Sequence, residues 1–190
     1  MTIHNLVLKN RSFRRFYQDH FIKQNQLLDL IELARLSPSG GNLQPMKYMF
    51  SNDPERNALI FPSMMWAGYL KDWPGPEEGE RPSAYIIILG DSNIKAGLKV
   101  DQGIVAQSIL LGAVEMGLGG CMIGSIKREQ LRSTLQIDPA YEILLALALG
   151  KPKEKVVLDE VDEADDIKYW RDEHGIHHVP KRTLNNLIVG

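Results

Sequence analysis

The chain has 190 residues, 44% hydrophobic and 24% charged, with 22 Lys and Arg against 24 Asp and Glu. That size and balance fit one soluble globular domain, residues 1–190, and exclude a disordered chain. A formal charge of −2 argues against nucleic-acid binding, which relies on a cationic excess, and the longest apolar run, Ile143 to Leu149, is too short to span a bilayer.

MTIHNLVLKNRSFRRF lacks the long apolar core of a signal peptide, so a cytoplasmic location is expected. A single cysteine, Cys121, agrees with a reducing compartment because it can form no internal bridge. RSFRRF then sets Arg11, Ser12, Arg14 and Arg15 close together. Two readings stand: a solvated basic face, or a fork of donors for a phosphate.

Leu27, Leu30, Ile31 and Ala34 recur at helical spacing, predicting a helix that stops before Pro38. The loop SPSGGNLQPMKY follows, where Gly40 and Gly41 permit positive φ. It reads either as punctuation or as a ligand loop, since Ser39, Asn42 and Gln44 are short polar side chains on a bent backbone. MKYMF and AYIIILG predict strands, the second buried. Residues 51 to 83 between them, with Trp66, Tyr69 and Trp73, predict a long mobile excursion that acts as a lid.

Asp91 to Asn93 offer N-caps for a long helix through DQGIVAQSILLGAVEMG, apolar almost all round and so central. In GLGGCMIG, counting from Gly117, the third glycine of a dinucleotide fingerprint falls on Met122, and the motif follows a helix instead of opening one. It predicts a helix C-cap and a buried strand, with small residues that let the backbone of Met122 to Ser125 approach a ring. KREQLRSTL predicts a helix and YEILLALALG a strand. IKYWRDEHGIHHV predicts a hairpin turning at His174-Gly175, and Pro180 opens a last helical turn whose N-terminus carries Lys181 and Arg182 towards an anion. The hairpin accounts for HGIHH without a metal, and burial accounts for Cys121. Asp101, Gln107 and Glu115, without visible partners, are assigned no chemistry.

Taken in order, RSFRRF, SPSGGNLQPMKY, GLGGCMIGS, LALALGKP and VPKR resemble the nitroreductase family of FMN-dependent oxidoreductases over nearly the whole chain. The resemblance implies an α+β fold, a central, mostly antiparallel sheet flanked by helices, and an intertwined homodimer with FMN at the subunit interface. It implies that Arg11, Ser12 and Arg14 meet the FMN phosphate, ribityl chain and pyrimidine edge. Pro38, Ser39, Asn42 and Gln44 cross to the neighbouring subunit's flavin, and Ile123, Gly124 or Ser125 offers a backbone N–H to N5. Lys181 and Arg182 return to the phosphate. Asn10 stands where many members carry a further Arg, and Lys71 is the candidate at the pyrimidine edge.

The implied activity is hydride transfer from NADH or NADPH through flavin N5 to a nitroaromatic, quinone or similar small acceptor, by a ping-pong cycle with no side-chain nucleophile. Trp66, Tyr69 and Trp73 either wall the acceptor site or pack the core. Rival readings are a non-catalytic flavin-binding or storage protein, a flavoenzyme of the same fold catalysing dehalogenation or dehydrogenation, and a ligand-free helical interaction protein.

Overall fold

The computed structural model describes residues 1–94 and 98–190, with side chains throughout these ranges except at Leu98 and Lys99. The helices are α1 (Ile3–Lys9), α2 (Gln24–Leu36), α3 (Pro54–Ile60), α4 (Leu98–Glu115) and α5 (Arg128–Leu135). The strands are β1 (Phe16–Tyr17), β2 (Met46–Ser51), β3 (Ala84–Asp91), β4 (Gly119–Ile123), β5 (Tyr141–Pro152), β6 (Val156–Val161), β7 (Trp170–Arg171) and β8 (His177–Arg182). As the sequence leads one to expect, the fold is α+β around an antiparallel sheet.

The sheet grows from β3, whose run AYIIILG is apolar because both of its faces are covered. Ala84, Ile86 and Ile88 face α2 and α4, while Tyr85, Ile87 and Leu89 face Ile60 of α3 and Leu131 of α5. β3 pairs antiparallel with β2 on one side and β5 on the other. The far edge of β5 is shared: β4 takes Ala146 to Gly150, and β1 takes Lys151 and Pro152. Each fully buried Ile or Leu in these layers contributes about 1.5–3 kcal/mol.

α4 packs beside α2 on one face of the sheet, burying Val105, Ala106, Ile109 and Ala113 against Leu27, Leu30 and Ala34. The approach is close enough that a Cβ on Gly112 would collide with the Leu33 side chain. Gly117 (φ +75°) closes α4, its N–H reaching the Val114 carbonyl at 3.0 Å, and Leu118 N–H reaches that of Ala113 at 2.8 Å. This is the expected C-cap. Asp91 to Asn93 form a turn in which the Asp91 carboxylate accepts from Asn93 N–H at 3.0 Å. Their expected capping of α4 falls at residues 95–97, outside the described residues.

Three local expectations are corrected. Residues 51 to 83 are not a plain loop: Asp53 caps α3 by accepting from Arg56 N–H, with Pro54 at its start. The segment is also tethered, because Glu80 is bound by Arg15 and by Lys153 (2.9 Å), and Gln18 Oε1 accepts from Gly79 and Arg81 N–H. Pro180 opens no helix. It lies in β8, where Lys181 and Arg182 also sit, and the last helical turn is Leu184–Asn186. β7 pairs β8 only at His177 and His178, so the missing N–H of Pro180 faces no neighbour.

A second sheet, ordered β6-β8-β7, was not read from the sequence. β6 and β8 run parallel, while β7 and β8 form the expected hairpin, with Gly175 at φ +75° in the turn.

Candidate functional site

The stretch Arg11–Phe13 runs alongside β4: Phe13 N–H donates to the Gly120 carbonyl at 3.0 Å, and Ser12 bridges to Gly120. One glycine makes room for it: a Cβ on Gly119 would stand 2.5 Å from the Phe13 ring, while one on Gly120 would stand 2.6 Å from the Ala148 carbonyl oxygen on the β5 side. GLGG therefore serves the approach of the N-terminal basic stretch as well as capping α4.

Glu154, just beyond β5, ties that stretch to the C-terminal hairpin. Its fully buried carboxylate accepts from the backbone N–H groups of Arg14 and Arg15 (3.2 Å for the latter) and from Arg171 Nη2 at 3.1 Å. β8 then lies beside Arg14. Because strand residues alternate, His177, Val179 and Lys181 share the face turned towards it, and Arg182 does not.

Arg14 is the hub. Its Nη1 donates to the Ser12 carbonyl at 3.2 Å and lies 3.2 Å from His177 Nε2, while its guanidinium sits 4.7 Å above the Tyr169 ring. Tyr169 in turn packs against His177 (5.3 Å between centroids) and Tyr69 (4.9 Å). Burial, followed by the nearby charges of Arg14 and Arg171, pushes the His177 imidazole down to about 4. It is neutral at pH 7, so Nε2 accepts from Arg14 and the proton resides on Nδ1, which has no partner among the described residues.

These groups line a cavity of about 350 Å³ with Arg11, Ser12, Gln107, Met122 and Lys181. Arg11 Nη2 donates to the Val7 carbonyl at 2.6 Å, but its buried Nε has no partner among the described residues, and burial lowers its pKa. Asn10 also borders the cavity, held to Gln107 by a 3.3 Å hydrogen bond.

Other expected site residues lie elsewhere. Arg182 faces away and donates to the Glu163 carbonyl at 2.7 Å. Ile123 is buried in the core; Gly124 and Ser125 are exposed just past β4, where the Ser125 carbonyl accepts from Met65 N–H. Pro38, Ser39 and Gln44 border a separate cavity of about 250 Å³, and Asn42 is exposed in the adjoining turn. Lys71 is exposed and borders neither.

That second loop is held by Asp101 of α4, which is 1% exposed. Its carboxylate accepts from Ser39 Oγ–H at 2.5 Å and from Gly40 N–H at 3.1 Å, and Ser39 Oγ accepts from Gln44 N–H at 2.9 Å. Asn42 (φ +56°) and Gln44 (φ +51°) adopt the left-handed region beside Gly41, a conformation costly for side-chain-bearing residues. The loop is thus locked in an unusual shape with its polar ends displayed.

His177, Tyr169, Glu154 and Asp101 were missed as site residues. Period-2 alternation in HHVPKR could have placed His177 on the face of Lys181, and an acid in the first turn of the apolar α4 could have marked Asp101. Glu154 carries no local signal at all.

No helix among the described residues is long and apolar enough to cross a membrane. The sequence profile of the nitroreductase family matches residues 7–151. An Archaeoglobus fulgidus relative, named for an inferred NADH dehydrogenase/NAD(P)H nitroreductase activity, is 25% identical over 166 residues, covering 83% of this chain and 90% of its own. The solved FMN-dependent nitroreductase of Clostridium difficile R20291 superposes with a TM-score of 0.66 at 22% identity, over 80% of this chain and 89% of that one. The NADPH:FMN oxidoreductase of Vibrio harveyi, solved with NAD+, gives 0.62 at 23% identity, over 80% and 69%. With residues 7–151 matched, most of its length, the chain belongs to the nitroreductase family of oxidoreductases.

Proposed function

We propose that this chain is an FMN-dependent NAD(P)H oxidoreductase acting as a homodimer on small electron acceptors such as nitroaromatics or quinones. One observation carries the reading: Arg11, Ser12 and Arg14 from one end of the chain and Lys181 from the other converge on a single cavity. Three cations and a hydroxyl suit a phosphate monoester. The residues present therefore fit FMN. Relatives named as FMN-dependent and as NAD(P)H enzymes support the same cofactor pair.

The dimer is supported by what the single chain leaves open. The Asp101-held loop borders a cavity separate from the Arg14 cavity, which suits a loop that reaches the flavin of a second copy. Apolar side chains are also left uncovered. α1 buries none of its residues, with Ile3, Val7 and Leu8 exposed, and Leu184, Leu187, Ile188 and Val189 are exposed at the C-terminus. Burying them against a copy removes apolar surface that monomers rarely display together.

FMN, once bound, supplies the hydride exchange between nicotinamide and acceptor. Arg14, fixed by the Ser12 carbonyl, His177 and the Tyr169 ring, presents a positive charge whose direction is set before any ligand arrives. Neutral His177 adds no competing charge, and its Nδ1–H is a second donor. Lys181 provides a mobile point charge suited to a phosphate.

The experiment is anaerobic mixing of the purified, FMN-loaded protein with NADH or NADPH, followed by menadione or a nitrofuran. Bleaching of the flavin spectrum and its return on adding acceptor are expected. A yellow protein that neither bleaches nor turns over is a storage protein; one that takes up no FMN overturns the cofactor reading as well.

A further inference from the structure

Residues 63–80, the stretch between α3 and β3, are bound at both ends. At one end they join the backbone just past β4: Lys127 N–H donates to the Ser63 carbonyl at 2.9 Å, Met64 bridges to Ile126, and Met65 N–H donates to the Ser125 carbonyl at 3.0 Å. At the other end Glu80 is bound by Arg15 and Lys153. Between the two, a pair of aromatic side chains reaches the C-terminal hairpin. The Tyr69 ring lies 4.9 Å from that of Tyr169, whose hydroxyl accepts from Tyr69 N–H at 3.4 Å, and the Arg171 guanidinium lies 4.5 Å over the Trp73 ring.

These aromatic contacts end on the residues that hold Arg14. Tyr169 lies beneath its guanidinium, and Arg171 pairs with Glu154, the acceptor of its backbone N–H. Neither Tyr69 nor Trp73 is among the residues lining the Arg14 cavity. Core packing does not account for Tyr69, which is 51% exposed.

The backbone is bent to bring it there. Ala67 adopts φ +39° in a turn that Leu70 N–H closes on the Ala67 carbonyl at 2.8 Å. A side-chain-bearing residue keeps such a conformation only where its surroundings fix it. Met65 supplies the anchor on one side of Ala67, and Tyr69 with Trp73 supplies it on the other.

We infer that Tyr69 and Trp73 are positioning residues of the flavin site: they clasp Tyr169 and Arg171, and so fix Arg14 for its ligand without reaching the cavity. The inference rests on the flavin reading of that cavity. It gives the two side chains a role that is neither acceptor wall nor core. The coupling runs both ways: if the clasp tightens FMN binding, FMN tightens the clasp by the same factor.

The test measures FMN affinity by fluorescence titration in Tyr69→Leu, Trp73→Leu and the double variant. Each Leu should raise the dissociation constant about two- to fivefold, the value of one aromatic or cation–π contact. Tyr69→Phe and Trp73→Phe keep an aromatic ring and should bind as the wild type does, whereas a space-filling role would be met by Leu as well. In the wild type, FMN should slow deuterium exchange of the Tyr69 amide severalfold, a readout that needs no variant to fold. In the flavin-free double variant, NMR should show His177, held at about 4 by burial and by the charges of Arg14, Arg171 and His178, titrating nearer its ordinary 6.5. Unchanged affinity in both single Leu variants overturns the inference, as does a Tyr69 amide that ignores FMN. A wild type that takes up no FMN overturns the flavin reading instead, and the His177 titration then decides whether Tyr69 and Trp73 hold the Arg14 group.

Discussion

Arg14 Nη1 and His177 Nε2 stand 3.2 Å apart, joining the eleventh-to-sixteenth residues of the chain to its last long strand through a hydrogen bond that requires a neutral imidazole. The pair makes the cavity pH-sensitive. His177 titrates at about 4 when folded and at its ordinary 6.5 when unfolded, so between these values the unfolded chain binds more protons. Its contribution to stability is fully present above pH 6.5 and lost as the pH falls to 4. The loss is on the order of 3 kcal/mol at most. Urea unfolding of the wild type should weaken over this window, and His177→Gln should flatten the profile. Glu80, held down to about 2 chiefly by its hydrogen bonds from Arg15, loses its contribution only below pH 4.5, which separates the two effects. Identical profiles for the two proteins would refute the role of His177.

Arg14→Ala should raise the FMN dissociation constant about 10- to 100-fold, the value of one or two hydrogen bonds to a charged group. Flavin reduction by NAD(P)H should slow in the same variant. Fluorescence titration and stopped-flow absorbance measure both. Arg182→Ala, whose side chain turns to the Glu163 carbonyl, should leave both nearly unchanged.

Glu154→Gln should destabilise the protein by about 3–5 kcal/mol, because it breaks the pair of a fully buried carboxylate with the largely buried Arg171 while an amide N–H₂ meets donors. A lower urea midpoint with unchanged slope is the expected signature. A shift smaller than about 1 kcal/mol, typical of surface ion pairs, would contradict the tethering role.

Asp101→Ala removes the acceptor for Ser39 Oγ–H and Gly40 N–H and should release the loop. The Gly40 amide should exchange with deuterium faster by about tenfold or more, since a hydrogen bond to a carboxylate is lost. Unchanged exchange would mean that the strained backbone at Asn42 and Gln44 is held by other contacts.

How far the sequence carried depended on the range of the interactions. α2, β2, β3 and the Gly117 cap were legible because periodicity and cap chemistry are local. α3 was hidden by the Pro- and Gly-rich residues after it, and β6 because its parallel pairing with β8 is made across some twenty residues. The phosphate-type donors were visible as RSFRRF and KR. Which member of Lys181–Arg182 faces inward was not, since the pair was read on a helix and alternates on a strand. Glu154 and His177 acquire meaning only once the C-terminal hairpin is folded against the stretch around Arg14.

The most direct test uses mixed dimers, made by co-expressing Arg14→Ala and Asp101→Ala chains under different affinity tags. If the Arg14 cavity of one protomer and the Asp101-held loop of its partner enclose the same flavin, each parental homodimer has two damaged sites. The mixed dimer then has one site with both defects and one with neither. One FMN per mixed dimer bound with wild-type affinity is the expected result. Two equally weakened sites, with no recovery of tight binding, would contradict a flavin shared between the two subunits.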